Sequence, residues 1–125
     1  AVDGRRVEIA ARYTLIAEGA RGSLARALIT RFGLAATCDP QKYGLGLKEV
    51  WRIAPDRHEP GRVDHYLGHP LSGAAAGGGF AYHAAEGRLF IGLVVHLDYA
   101  DPTLSPFEEF QAFKRHPSIA ALTEA

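Results

Sequence analysis

Hydrophobic positions change their period several times along this chain, and each change marks an element. Val7 and Ile9 alternate with polar neighbours after a turn-like Asp3-Gly4, which predicts a hairpin feeding a half-buried strand. A second strand is expected over residues 13–17. It stops at Glu18-Gly19-Ala20-Arg21-Gly22, whose two glycines permit a sharp strand-to-helix turn. Leu24, Leu28, Ile29 and Phe32 then recur at helical spacing opposite Arg26 and Arg31, and Gly33 stands where a C-cap belongs.

After a loop at Asp39-Pro40 the period returns to two. Tyr43, Leu45, Leu47, Trp51 and Ile53 share one face of a strand over residues 43–53, which places Trp51 in the core. Glu49 falls on that same face, where a carboxylate must be hydrogen-bonded, lie near an edge or pocket, or meet a cation. Residues 62–69 alternate as a shorter strand. The low-complexity run from Gly73 to Gly79 then leads into Phe80-Ala81-Tyr82-His83. A turn at Glu86-Gly87-Arg88 precedes the apolar run from Leu89 to Val95, expected of a central strand covered on both faces. Ser105-Pro106-Phe107-Glu108 starts a helix with an N-cap serine, proline at the first helical position and a glutamate placed for a capping box. Phe107, Phe110 and Phe113 give that helix an aromatic side to pack on the sheet, and Pro117 interrupts it. The pattern as a whole predicts an α+β fold, a mixed, largely antiparallel sheet with a helix packed on it, preceded by a strand-turn-helix segment.

Charge and reactive side chains narrow the chemistry. Lysine plus arginine equal aspartate plus glutamate at 14 each, and the cations are scattered, which argues against nucleic acid. The 47% hydrophobic and 22% charged content suits one globular core and not a disordered chain. No apolar stretch approaches the roughly 18 residues of a membrane span. Cys38 is the single cysteine and cannot by itself form an intrachain disulfide or a thiolate cage for a metal. His65 and His69, read on one extended strand, stand roughly 13 Å apart, too far to share an ion. His83 and His96 sit in or beside apolar strands and are expected to be satisfied structurally. No nucleophile elbow is present, and Gly44-Leu45-Gly46 is too short to count as a dinucleotide turn. A chain without a starting methionine that opens on a strand in mid-course is expected to be part of a longer product.

Four stretches carry a family resemblance. They are the run from Tyr43 to Trp51, Pro60-Gly61-Arg62-Val63-Asp64-His65, the run from Gly77 to His83, and the run from Leu97 to Gln111. In order and spacing they resemble the middle of electron-transfer flavoprotein:ubiquinone oxidoreductases. The resemblance implies an internal piece of a two-domain FAD-dependent oxidoreductase, with residues 1–36 an FAD-domain segment and residues 37–125 the ubiquinone-binding region. It implies FAD and a 4Fe-4S cluster in the full-length protein, with the dinucleotide fingerprint upstream and the cluster cysteines downstream, and neither group held tightly by this chain. The implied partners are electron-transfer flavoprotein, ubiquinone and, through other parts of the protein, a membrane surface. The implied location is peripheral on the cytoplasmic side of the bacterial inner membrane, or on the matrix side of the mitochondrial one.

Two sites follow from the resemblance. Gly77 and Gly78 align with glycines that offer a backbone N–H and C=O to the quinone, and Phe80 and Tyr82 are expected beside them. Glu18, Gly19, Ala20 and Arg21 are similar to an acidic glycine turn that approaches FAD. Ser72, Ala75, Ala76 and Gly79 depart from the residues the family tends to carry, so side-chain contacts from those positions do not transfer. Two other readings stay open: the substrate-domain piece of another FAD enzyme, a monooxygenase or prenyl-lipid reductase, and a binding module without redox chemistry.

Overall fold

The structure is a computed structural model describing residues 4–71, 73 and 75–123. It falls into two compact units, one running to Pro40 and the other starting at Gln41.

In the first unit, helix α1 spans Ser23–Phe32 and closes on Gly33, whose left-handed φ of 61° lets its N–H reach Ile29 O. Both its bounds and its cap agree with the sequence pattern. The strands expected before it do not form: apart from an isolated bridge at Arg5, residues 4–18 carry no strand, and Asp3 of the expected turn lies outside the described residues. A strand needs a neighbour to take up its backbone groups. Among the described residues nothing pairs with this segment, and Ile9, Tyr13 and Leu15 are 88%, 89% and 94% exposed.

The second unit is a four-stranded sheet with helices on one face. Its strands are β1 (Gly44–Arg52), β2 (Val63–Tyr66), β3 (Gly77–Ala84) and β4 (Arg88–His96), in spatial order β1-β4-β3-β2 and antiparallel at every pairing. A 3-10 turn, Pro55–Arg57, lies between β1 and β2, and helices α2 (Pro106–Lys114) and α3 (Pro117–Thr123) follow the sheet. The β3–β4 hairpin turns through Glu86 and Gly87, both at positive φ.

Register decides which face is buried. Leu89, Ile91, Leu93 and Val95 of β4 are fully buried and stand opposite Trp51, Glu49, Leu47 and Leu45 of β1 on one side and His83, Ala81, Gly79 and Gly77 of β3 on the other. Phe110 and Phe113 of α2 and Ile119 of α3 complete this core. The intervening residues Phe90 and Val94 are only half-buried, so β4 is central as expected but covered fully on one face alone. On the other face Phe80, Tyr82 and Phe90 stack in a row, with ring centroids 5.9 and 4.6 Å apart. An uninterrupted apolar run reports that both faces are apolar; it does not supply the second cover.

Local chemistry explains the ends of the elements. Ser105 Oγ accepts the N–H of Glu108 and Pro106 takes the first helical position, as the N-terminal signal of α2 predicts. Phe107 departs from the expected aromatic side and is 57% exposed. At about 100° per residue it lies some 120° around the helix from Phe113, beyond the stripe that meets the sheet. Glu49 does meet a cation: Lys114 Nζ lies 2.7 Å from its Oε1, while the Trp51 indole N–H donates to Oε2 at 2.9 Å. Trp51 itself is half-buried at the end of β1 and packs against the core from its rim.

Candidate functional site

The glycine run lies inside β3, not before it, and each glycine is demanded by a different neighbour. A Cβ on Gly77 (φ +156°) would run into the carbonyl oxygen of Val94 and the side chain of Leu71. One on Gly78 would stand 2.8 Å from Tyr66 O and 3.1 Å from Leu67 Cδ2, and one on Gly79 would enter the ring of Phe113. This stretch of strand therefore presents bare backbone because the sheet and α2 close tightly around it.

The ladder leaves one part of that backbone open. His96 N–H donates to Ala76 O at 2.8 Å, so residues 76, 78 and 80 bond toward β4 and the alternate residues face β2. His83 does so, donating to Arg62 O and accepting from Gly61 N–H at 2.9 Å each. Gly79 lies opposite Tyr66, the last residue of β2. Gly77 faces the space past that end, where the chain turns away at Gly68 with φ +96°. Among the described residues nothing takes up its N–H and C=O on that side. A donor and an acceptor thus stand side by side on a wall without side chains, flanked by Leu67, which is 86% exposed, and by buried Leu71.

Two cavities adjoin this wall. One of about 240 Å³ is lined by His65, Tyr66, Leu67, His69, Phe113 and His116. The other, about 340 Å³, lies on the Leu71 side and includes Ala75, Asp101, Glu108 and Glu109. Residues 62–69 do not form one extended strand: β2 ends at Tyr66, and the turn that follows brings His69 to the cavity His65 also lines. Among the described residues no group of three or more metal-ligating side chains could hold an ion. Burial, with Asp64 adding to it, pushes the Tyr66 hydroxyl above its ordinary range and keeps it a donor. Phe80 and Tyr82 share Gly78's face of the sheet, two and four residues along, but line neither cavity.

His83 is held apart from this site. It is 3% exposed, its Nδ1 accepts the N–H of Glu59 at 3.1 Å, and its Nε2 has no partner among the described residues. Burial first, then the neighbouring His58 and Arg62, lower its pKa, so it is a neutral core histidine that ties residues 58–62 to β3.

At the other candidate site the glycine turn forms as expected, with Gly19 at φ +77° and open space where its Cβ would stand. Gly22 is the N-cap of α1 and is packed against the side chain of Glu18. Glu18 Oε2 accepts the N–H of Ala25 at 2.8 Å, so the turn already places an anion at the helix N-terminus and that anion is Glu18 itself. Cys38 is exposed, and its thiol donates to Leu34 O at 3.5 Å.

The model of the family described as ETF-QO, ubiquinone-binding, matches residues 43–125. The chain belongs to this family. The electron transfer flavoprotein-ubiquinone oxidoreductase of Dictyostelium discoideum, named mitochondrial, is 48% identical over 120 residues, covering 96% of this chain and 20% of its own length. The Homo sapiens protein of the same name is 51% identical over 122 residues, with the same shares. The Pseudomonas aeruginosa protein is 45% identical over 118 residues, covering 94% of this chain and 21% of its own. The chain thus spans about a fifth of the length of the curated relatives it matches. The family match starts at Tyr43, close to the boundary between the two units, and takes in the whole sheet with α2 and α3. Leu67, Leu71 and Phe113, which frame the glycines, were invisible as site residues in the sequence, because nothing local distinguishes them from ordinary apolar positions.

Proposed function

We propose that this chain is the quinone-pocket portion of an oxidoreductase that passes electrons from reduced electron-transfer flavoprotein to ubiquinone. The observation that carries the reading is that no described residue takes up the outward N–H and C=O of Gly77, on a wall kept bare by its neighbours. A flat ring can lie against such a wall, Gly78 supplying clearance, with one carbonyl oxygen accepting the backbone N–H. As electrons arrive, negative charge develops on that oxygen, and a fixed N–H stabilises it without reorganising. No nucleophile is required.

In the full-length enzyme FAD and a 4Fe-4S cluster supply the redox equivalents. The turn from Glu18 to Arg21 fits an approach by the anionic cofactor at Gly19, where a Cβ would meet open space. The N–H of Ala25 is already used by Glu18. No described cluster of side chains fits an iron–sulfur group, which falls to the remaining length of the protein. We place the enzyme on a membrane surface, where ubiquinone is found; no helix among the described residues is long and apolar enough to cross a bilayer.

Leu67→Glu in the full-length enzyme tests the quinone site at little cost to folding, because Leu67 is exposed yet touches Gly78. The KM for quinone should rise about tenfold or more, as expected when an ionised carboxylate replaces an apolar contact. Flavin content and reduction by electron-transfer flavoprotein should stay at parental values. An unchanged KM sinks the site.

A further inference from the structure

The histidine-lined cavity deepens the quinone reading and rests on it. Three of its lining residues also frame the glycine wall: Tyr66 and Leu67 stand against Gly78, and Phe113 against Gly79. A quinone held at Gly77 therefore has Leu67 as its neighbour, and beyond Leu67 lie imidazoles. The rings of His69 and His116 are 5.2 Å apart between centroids. In the neutral ring His116 Nδ1 accepts the N–H of Ser118 at 3.3 Å and Nε2 carries the proton; the imidazolium, a donor at both nitrogens, gives up that bond. One ring nitrogen of His69 lies 3.5 Å from Ala112 O. No carboxylate, lysine or arginine lines this cavity among the described residues, and the Tyr66 hydroxyl is too weak an acid to compete.

The other cavity offers carboxylates. Asp101 is held ionised by the N–H and hydroxyl of Thr103, at 2.8 and 2.7 Å, which lower its pKa and make it a poor acid near neutrality. Glu108 and Glu109 are the rival donors to exclude.

We infer that His69 and His116 form the proton-delivering pair for quinone reduction. The balance is simple: the ring takes two electrons from the enzyme's reduced cofactors, and each carbonyl oxygen takes one proton. Both C=O π bonds are lost and the aromatic quinol forms. At the imidazolium an N–H bond breaks, its electron pair stays on nitrogen, and solvent reprotonates the ring through the open cavity. Histidine suits the task because an imidazole can release a proton from one ring nitrogen and take up another from solvent.

The test uses the full-length enzyme with His69→Gln, His116→Asn and the double variant, reading quinone kcat against pH, quinone KM and equilibrium quinone binding. His116→Asn keeps a side-chain oxygen to accept Ser118 N–H, so the start of α3 is preserved. The parental rate should fall on the alkaline side as imidazolium is lost. In the double variant kcat should drop about 10- to 100-fold, on the scale of a lost general acid, with that alkaline limb removed and quinone binding within about twofold. Retention of the parental kcat and pH profile overturns the inference. So does a raised KM with unchanged kcat, or loss of the alkaline limb in Glu108→Gln or Glu109→Gln alone. Leu67→Glu separates the levels: if it raises KM while the histidine variants keep the pH profile, the quinone site stands and the relay fails; if it too leaves KM unchanged, the site itself fails.

Discussion

Gly79→Ala separates glycine kept for packing from glycine kept for a ligand. Gly79 faces the helices, and any Cβ there meets the ring of Phe113, which is 2% exposed and stacks edge-on against Tyr66 at 5.5 Å. Neither ring can retreat far. Overpacking of this kind costs about 1–3 kcal/mol, offset by about 0.5–1 kcal/mol from the lower unfolded-state freedom of alanine. The expected net loss is about 1–2 kcal/mol. Phe113→Leu removes part of a buried ring and should cost about 1–2 kcal/mol, less than the roughly 3–5 kcal/mol of full truncation. If the two groups collide as described, the double variant gains room for its methyl and should be more stable than additivity requires by about 1 kcal/mol. Equilibrium urea unfolding of the 125-residue chain followed by Trp51 fluorescence measures all three variants. Additivity within about 0.3 kcal/mol would mean that Gly79 is not bare on account of Phe113, and the same doubt would extend to the reading of its two neighbours.

Trp51→Ala should cost about 2–3 kcal/mol, below the usual penalty for a fully buried tryptophan because its ring is half-exposed at the end of β1; no loss in a denaturant titration would remove it from the core rim. His83 makes stability fall on the acid side. Its folded pKa lies below the unfolded value of about 6.5, so its contribution is full above that pH and declines as the unfolded chain takes up a proton the folded state resists. His83→Gln should flatten the slope of unfolding free energy with pH below about 6.5, and a slope unaltered by the substitution contradicts the assignment. At the flavin turn, Gly19→Val in the full-length enzyme should lower flavin content, whereas Gly19→Asn, which tolerates the left-handed backbone better, separates strain from obstruction. Full flavin occupancy in both would leave the turn a purely structural one.

The sequence by itself determined the elements whose signals are local. The capped start of α2, the αL end of α1 at Gly33, the two-residue period of β1 and the apolar run of β4 are written in spacing and in residues with special backbone demands. That Glu49 must be hydrogen-bonded, lie near an edge or pocket, or meet a cation was implied as well; that Lys114 and Trp51 satisfy it was not. What the tertiary structure decided were matters of neighbourhood. Residues 4–18 have the composition of strands but no pairing among the described residues, and a strand is not a local structure. Phe107 has the right chemistry and the wrong angle. Residues 62–69 continue the alternation of a strand, yet β2 stops at Tyr66, and this early stop both frees Gly77 and turns His69 toward His116. The glycines were legible as bare backbone. Why they are bare, and which of them keeps a donor and acceptor that no described residue takes up, depends on Val94, Tyr66, Leu67 and Phe113, residues from 11 to 34 positions away in sequence that only ladder register and helix packing bring alongside.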